Sequence, residues 1–417
     1  MNPDAIAVTG VGMITPAGPD TASTWNGLCS GISTAAPDPS LAGLPVSFSC
    51  QATAFDAEHL LGRQLTWRLD RFIHLALAAA RQAVAHARLD PARWEPTRVG
   101  IALGTGGNSS ADTQFDLCTK LSEDRYKSVS PTAISRSAPN MAAGEISLDL
   151  GIQGPGLTVS TACSSGATAL SLARDLLRAG TCDIVLAGGT DVGRNRSGAI
   201  GFDRMRALSR RTHDPAGASR PFDADRDGFV LGEGAAVLVL ENAGHARSRH
   251  APVHAYLAGT AITSEAHHPT APTPDGSGAA RTMRLALAQA GLAPEDIDHV
   301  NAHGSSTKAN DLAEARALRA VFRTPPPVTA VKSIIGHSIG AAGAIEAAVS
   351  VLSLMHQQIP PTANLDRLDP DIDLDLVTKT TRHLPLRTVL SNSFGFGGQN
   401  AALVFSTTAV AGPRSAG

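Results

Sequence analysis

Val159-Ser160-Thr161-Ala162-Cys163-Ser164-Ser165-Gly166, running on into Ala167-Thr168-Ala169-Leu170-Ser171-Leu172-Ala173, reads as a β-strand ending in a corner of small residues from which a helix departs. Cys163 falls at the helix N-terminus. First-turn amides there lack intrahelical partners and the helix dipole favours negative charge, so the position stabilises a thiolate. The helix is built of small, mostly apolar residues, which places it near the centre of a fold. On these residues alone a buried small hydrophobe is an equally good reading of Cys163. It is the reading for Cys29, Cys50, Cys118 and Cys182, which lack such a corner.

Outward from this corner, short β-rich runs alternate with Ala- and Leu-rich helical segments, the pattern of a layered α/β protein. Strands are expected at 6–10, 99–104, 157–161, 183–187 and 236–241, and again at 254–262, 299–302, 329–332, 388–391 and 401–405. Helices are expected at 70–87, 164–179, 277–290, 311–321 and 340–356. Two runs of similar content suggest a duplicated architecture with a seam at 243–252, although no literal repeat accompanies it. Residues 212–226, rich in polar and breaker residues, read as an exposed loop. The block Asp225-Arg226-Asp227-Gly228-Phe229-Val230-Leu231-Gly232-Glu233-Gly234 reads as structural, tight turns held by ion pairs ahead of an apolar strand.

The chain has 417 residues, a formal net charge of -2 and 43% hydrophobic residues, enough for a large core. Near-neutral charge and 4% aromatic content argue against nucleic-acid binding through an overall positive field or stacking platforms. No basic region precedes a long apolar segment at the N-terminus, and no uninterrupted apolar run reaches membrane-spanning length. Five cysteines without CxxC pairing fit a reducing compartment, so a cytoplasmic protein without membrane association is expected. No His, Cys and carboxylate cluster has transition-metal spacing. Gly10 and Gly12 follow a strand, but Thr15 stands where a dinucleotide fingerprint needs its third glycine.

A thiolate that accepts an acyl group needs partners for protons and for charge developing on the thioester oxygen. The second half offers His303 in Asn301-Ala302-His303-Gly304-Ser305-Ser306-Thr307. It offers His337 in Val331-Lys332-Ser333-Ile334-Ile335-Gly336-His337-Ser338-Ile339-Gly340-Ala341-Ala342-Gly343. Each follows an apolar strand-like run. Each taken alone reads more readily as a satisfied core histidine.

Together with Asn392-Ser393-Phe394-Gly395-Phe396-Gly397-Gly398, these blocks resemble, in order, the four signatures of elongating type II β-ketoacyl-(acyl carrier protein) synthases of the thiolase superfamily. The resemblance covers essentially the whole chain. It implies the thiolase fold, two similar α/β halves in a five-layered α-β-α-β-α sandwich. Residues 1–250 would carry the cysteine, 251–410 both histidines, and 411–417 would form a disordered tail.

The resemblance also implies a decarboxylative condensation by a 3-oxoacyl-(acyl carrier protein) synthase. Cys163 would be the nucleophile, His303 and His337 the donors to the enolate oxygen, and Lys332 an electrostatic organiser or a purely structural residue. Backbone amides of Cys163 and Phe396 would form the oxyanion hole. Gly107, Phe202, Phe394 and Phe396 would border the acyl site, a glycine at 107 deepening it, and Thr270, Ser305 and Thr307 would bind the phosphopantetheine arm. Arg68, Arg71, Lys127, Arg204 and Arg206 lie in segments similar to the family's docking surface for an acidic carrier protein.

No cofactor and no metal are implied, since substrates arrive on the carrier. Partners would be acyl carrier protein and a second subunit, in a homodimer or in a heterodimer with a chain-length partner. Ser305, Lys308 and Gln399 depart from the fatty acid synthase pattern and are similar to synthases of bacterial polyketide and polyene pathways. A ketosynthase subunit of such a pathway is therefore the alternative, and a non-catalytic scaffold partner a further one.

Overall fold

The ten strands of the main sheet follow the chain in two sets of five: β1 (Ile6–Ile14), β2 (Val99–Gly104), β3 (Gly156–Val159), β4 (Ile184–Val192) and β5 (Glu233–Asn242), then β6 (Ala255–Ser264), β7 (His299–Asn301), β8 (Val328–Thr329), β9 (Thr388–Gly395) and β10 (Gln399–Ser406). The computed structural model describes residues 5–107 and 109–410; the expected tail at 411–417 lies outside them. The first set is ordered β3-β2-β4-β5-β1 and the second β8-β7-β9-β10-β6, the same order in both halves. Pair senses match as well: β2 is parallel to β3 and β4, while β5 is antiparallel to β4 and β1. Likewise β7 is parallel to β8 and β9, while β10 is antiparallel to β9 and β6. The two sets pair through Ala7 opposite Tyr256 and Val8 opposite Ala255. The duplication expected from the two runs of strands is present as topology.

Three hydrophobic cores separate the layers. Helix α1 (Arg71–His86) covers the outer face of the first sheet, packing Leu75, Ala79 and Ala83 with Val237 and Val239. Helices α3 (Ser277–Ala290) and α4 (Lys308–Val321) cover the outer face of the second around Met283, Leu318 and Val404. Between the sheets lie α2 (Ser165–Arg178) and α5 (Ala342–His356), which pack on each other and on both sheets. The result is the five-layered sandwich. Residues 339–356, with mean hydropathy 1.5, are apolar enough to cross a membrane, and 89% of that run is buried inside this layer. Its hydropathy reflects a helix with no solvent face.

The central helices are related by a local twofold. Each is preceded by a 3-10 turn, Ala162–Ser164 before α2 and Ile339–Ala341 before α5. Each turn has a non-glycine residue in the left-handed region nearby, Ala162 at φ 52° and Ile339 at φ 47°. A Cβ on Gly166 would lie 2.6 Å from the Ala344 amide, and one on Gly343 would lie 2.9 Å from the Ala167 amide. One register therefore maps Cys163 onto Gly340, Gly166 onto Gly343 and Ala167 onto Ala344. Gly10 and Gly12 have a similar packing reason: a Cβ on Gly12 would lie 1.9 Å from the Ala79 carbonyl of α1.

Two expectations are corrected. The strand expected at 329–332 ends at Thr329, and Lys332 instead opens a one-turn helix, Lys332–Ile335. Residues 212–226 are not an exposed loop throughout, because 218–223 and Arg226 are buried. There Arg220 binds Asp223 and Asp366, both at 2.9 Å, and Arg226 binds Asp369 at 2.6 Å and the Asp223 carbonyl at 2.8 Å. Paired charges can go inside where unpaired ones cannot.

Candidate active site

The corner before α2 is locked by its own hydroxyls. Ser164 Oγ donates to the Thr161 carbonyl at 2.8 Å, Ser165 Oγ to the Ala162 carbonyl at 2.6 Å, and the Thr161 amide to Ser165 Oγ at 2.9 Å. These bonds hold Ala162 left-handed and turn Cys163 into a cavity of about 680 Å³. The wall brings Cys163 together with His303, His337, Phe202, Phe394 and Phe396. Lys332 and the Phe396 backbone amide both favour the charged form of the Cys163 sulfur. Burial pushes the thiol up to about 11, against the opposing pull of Lys332 and that amide. The helix N-terminus thus carries a thiol at rest, where the sequence position alone favours thiolate.

His303 is held through its backbone. Its amide and that of Gly304 each donate to the Glu314 carboxylate at 2.8 Å, and its carbonyl accepts from Lys332 Nζ at 2.6 Å. Lys332 Nζ also lies 3.3 Å from His303 Nδ1 and pairs with Glu346. His337 is pinned by the 225–234 block: its amide donates to the Val230 carbonyl at 2.7 Å, and its carbonyl accepts from Gly232 at 3.0 Å. His337 Nδ1 accepts from the Ile339 amide at 3.2 Å. The block that reads as structural in the sequence thereby positions a site residue.

Both imidazoles are held well below the usual histidine range, by burial first and then by the Lys332 charge; His303 is lowered further by His337. Each ring is neutral with Nδ1 engaged as acceptor, which assigns the proton to Nε2. The rings meet edge to face, centroids 5.5 Å apart at 81°. Phe229 lies 5.2 Å from His337 and Phe394 5.7 Å from His303. Phe202 spans the gap, 5.3 Å from Phe229 and 6.2 Å from Phe396. A thiol, two neutral N–H donors and a backbone amide thus surround one desolvated space, suited to stabilising negative charge on an acyl oxygen.

Behind this wall are carboxylates that sequence reading missed. Burial pushes Glu314 and Glu346 up to about 7, against their hydrogen-bonding partners and, for Glu346, the charge of Lys332. The available signal was Glu346 as the single charge in Gly343-Ala344-Ile345-Glu346-Ala347-Ala348-Val349.

Thr270, Ser305, Thr307 and Arg206 also line the cavity, as does Lys308. Lys332 is buried behind the wall at 2% exposure. Gly107 is not among the lining residues; it has φ 86° with open space where a Cβ would be. A bulky side chain there meets backbone strain before it meets any neighbour. Of the five expected docking cations only Arg206 lines the cavity. Arg68 binds the buried Glu145 at 2.7 Å and Arg71 the buried Glu233 at 2.7 Å, so both tie elements together, whereas Lys127 and Arg204 are exposed and do not line the cavity.

Comparison with known proteins places the chain in a family. Residues 3–246 match the N-terminal domain of β-ketoacyl synthases and residues 254–366 the C-terminal domain. A 3-oxoacyl-[acyl-carrier-protein] synthase 2 of Synechocystis is 39% identical over 405 residues, covering 96% of this chain and 97% of that protein. The solved ishigamide ketosynthase/chain length factor superposes with a TM-score of 0.90 at 34% identity, covering 97% of this chain and 99% of that one. A type II polyketide ketosynthase, AntDE, in complex with the acyl-carrier protein AntF, superposes at 0.89 with 29% identity and the same coverage. With both domains matched and the cysteine and two histidines meeting in one cavity, the chain belongs to the β-ketoacyl synthase family.

Proposed function

We propose that the protein is a 3-oxoacyl-(acyl carrier protein) synthase, an acyltransferase that extends a Cys163-bound acyl chain by decarboxylative condensation with a malonyl thioester. The observation that carries this reading is the single cavity in which the Cys163 thiol faces two neutral histidines, each with Nδ1 occupied and Nε2–H free to donate.

In the first step Cys163 Sγ bonds the acyl carbon, the bond to the carrier's sulfur breaks, and the carrier thiol departs with the proton. The amides of Cys163 and Phe396 hold the transient oxyanion. A malonyl thioester then loses carbon dioxide. The electron pair left behind forms an enolate whose oxygen receives hydrogen bonds from His303 and His337. Its carbon bonds the acyl carbon, the Cys163 thioester bond breaks with its electron pair going to sulfur, a proton from solvent restores the thiol, and the product is a 3-oxoacyl thioester two carbons longer. Lys332 organises the site by orienting His303. Substrates arrive on the phosphopantetheine of an acyl carrier protein, which supplies the only prosthetic group the chemistry uses.

The test is intact-protein mass spectrometry after incubation with acyl-carrier thioesters of graded length and unsaturation, comparing the native chain with Cys163→Ala. Acyl mass is expected on the native protein alone. His303→Ala and His337→Ala are expected to keep the acyl adduct and to lose about 10²–10³-fold in malonyl decarboxylation. Absence of any adduct, alone or with candidate partner subunits, would overturn the reading in favour of a scaffold.

A second reading, a ketosynthase subunit of a polyketide or polyene pathway that works with a chain-length partner, is favoured by Ser305 and Lys308 on the cavity wall. Both depart from the fatty acid synthase pattern. Adduct formation that requires such a partner would select it.

A further inference from the structure

Asp191, at the end of β4, is 1% exposed and faces hydrogen-bond donors from three segments of the chain. Oδ2 accepts from the Gly106 amide at 2.7 Å and from the Gly340 amide at 2.8 Å. Oδ1 accepts from the Val192 amide at 3.0 Å and from the Ser109 hydroxyl. Each recorded partner donates, so the carboxylate serves only as an acceptor.

Two of these segments lead to the reacting groups. Thr105, next to Gly106, donates to the Val159 carbonyl at 2.9 Å, and its own carbonyl lies 3.3 Å from Ser165 Oγ, which places that loop against both ends of the Cys163 corner. Gly340 follows Ile339, whose amide is the donor to His337 Nδ1. The two segments are in direct packing contact: a Cβ on Gly340 would lie 2.2 Å from the Gly106 amide. By the local twofold, Gly340 stands where Cys163 stands in the other half. The Cys163 amide is the proposed oxyanion donor, whereas at the equivalent amide the protein supplies its own anion.

We propose that Asp191 is a positioning residue that registers the Cys163 corner of one half against the His337 turn of the other. It acts through Gly106 and Gly340 and touches no substrate. Acylation needs the cysteine side and decarboxylation the histidine side, but carbon–carbon bond formation needs both at one distance. Loss of the carboxylate therefore uncouples the two half-reactions before it abolishes either. The inference rests on the acyl-transfer reading above.

The experiment measures, for the native chain, Asp191→Asn, Asp191→Glu and Ser109→Ala, the Cys163 acylation rate and the ratio of condensed product to decarboxylated but uncondensed carrier. The ¹⁵N shifts of His337 are recorded in histidine-labelled protein. Asp191→Asn is expected to keep acylation within about twofold, to lower the ratio about tenfold, and to move the Nδ1 shift. Asp191→Glu restores part of the ratio. Ser109→Ala, which removes one donor from the same carboxylate, lowers the ratio about threefold and serves if Asp191→Asn does not fold. An unchanged ratio with unchanged His337 shifts, or an equal loss in acylation, decarboxylation and condensation, would overturn the inference. The His337 shifts report the Asp191 link even if no donor acylates the native protein, so failure of the functional reading and failure of this inference are separate results.

Discussion

The two halves share a strand order, and each sends a central helix out of a 3-10 turn with a left-handed residue nearby, yet they hold different chemistry. At the equivalent positions the first half has Cys163 and Ala169, the second Gly340 and Glu346. The first half closes the turn that presents its thiol with local hydroxyls. The second sinks a Lys332–Glu346 pair and the Glu314 carboxylate beneath two histidines. Burial acts on both with opposite sign, raising the thiol and lowering the imidazoles, and so leaves all three groups uncharged at rest. Duplicated backbone supplied two similar helix starts, and divergent side chains divided the work between them.

The strongest challenge to this comparison makes the second half resemble the first. Glu346→Ala places at 346 the residue found at 169, but it strands Lys332 at 2% exposure without its carboxylate. A loss of about 3–5 kcal/mol in denaturant unfolding is expected; a loss below about 1 kcal/mol would mean the pair is not the buried support described here.

The twofold itself is tested by Gly166→Ala and Gly343→Ala. Each added methyl meets the partner helix backbone, and each is expected to cost about 1–3 kcal/mol. A clear loss for one and none for the other would break the equivalence of the two helix starts.

The neutral thiol has a pH signature. Alkylation of Cys163 by iodoacetamide should climb about tenfold per pH unit from pH 7 towards 10 without levelling off. A plateau near pH 7 would show that the helix N-terminus outweighs burial. The linkage has a defined sign: the folded value of about 11 lies above the ordinary 9.0, so the contribution to stability is complete below pH 9.0 and is lost as pH rises through 11.

The smallest effect separates the two kinds of arginine. Arg206→Glu at the cavity mouth should raise KM for carrier thioesters a few-fold, roughly 3–10-fold and more at low salt, with kcat and Tm unchanged. Arg68→Glu, facing Glu145, should lower Tm first. Equal KM effects from both would put the docking surface around Arg68 as well.

Much of the fold was legible because apolar periodicity reports directly on layers. The strand at 99–104 and the helix at 277–290 match the observed bounds, and the other helices of the two sets differ only at their ends. The helices Ala111–Ser122 and Met141–Leu150 went unread; the first has no buried residue and the second a run of small ones, so neither carries a clear apolar stripe. Cys163, His303 and His337 were singled out by residue type and a turn-like setting, and took their roles only from the resemblance of the blocks that hold them. Arg68 and Arg71 looked like surface cations because their partners, Glu145 and Glu233, lie 77 and 162 residues away.

Small residues and flanking hydroxyls marked the Cys163 corner in the chain, since they are the side chains that can bond back to the backbone of a tight turn. Alternating strands and small-residue helices did the same for the layered sandwich. The charge state of the site was not written there. Whether Cys163 is thiol or thiolate, which histidine nitrogen carries the proton, and which carboxylates support the wall depend on desolvation and on contacts between residues distant in sequence. Those come into being only when the two halves close around a shared, water-poor cavity.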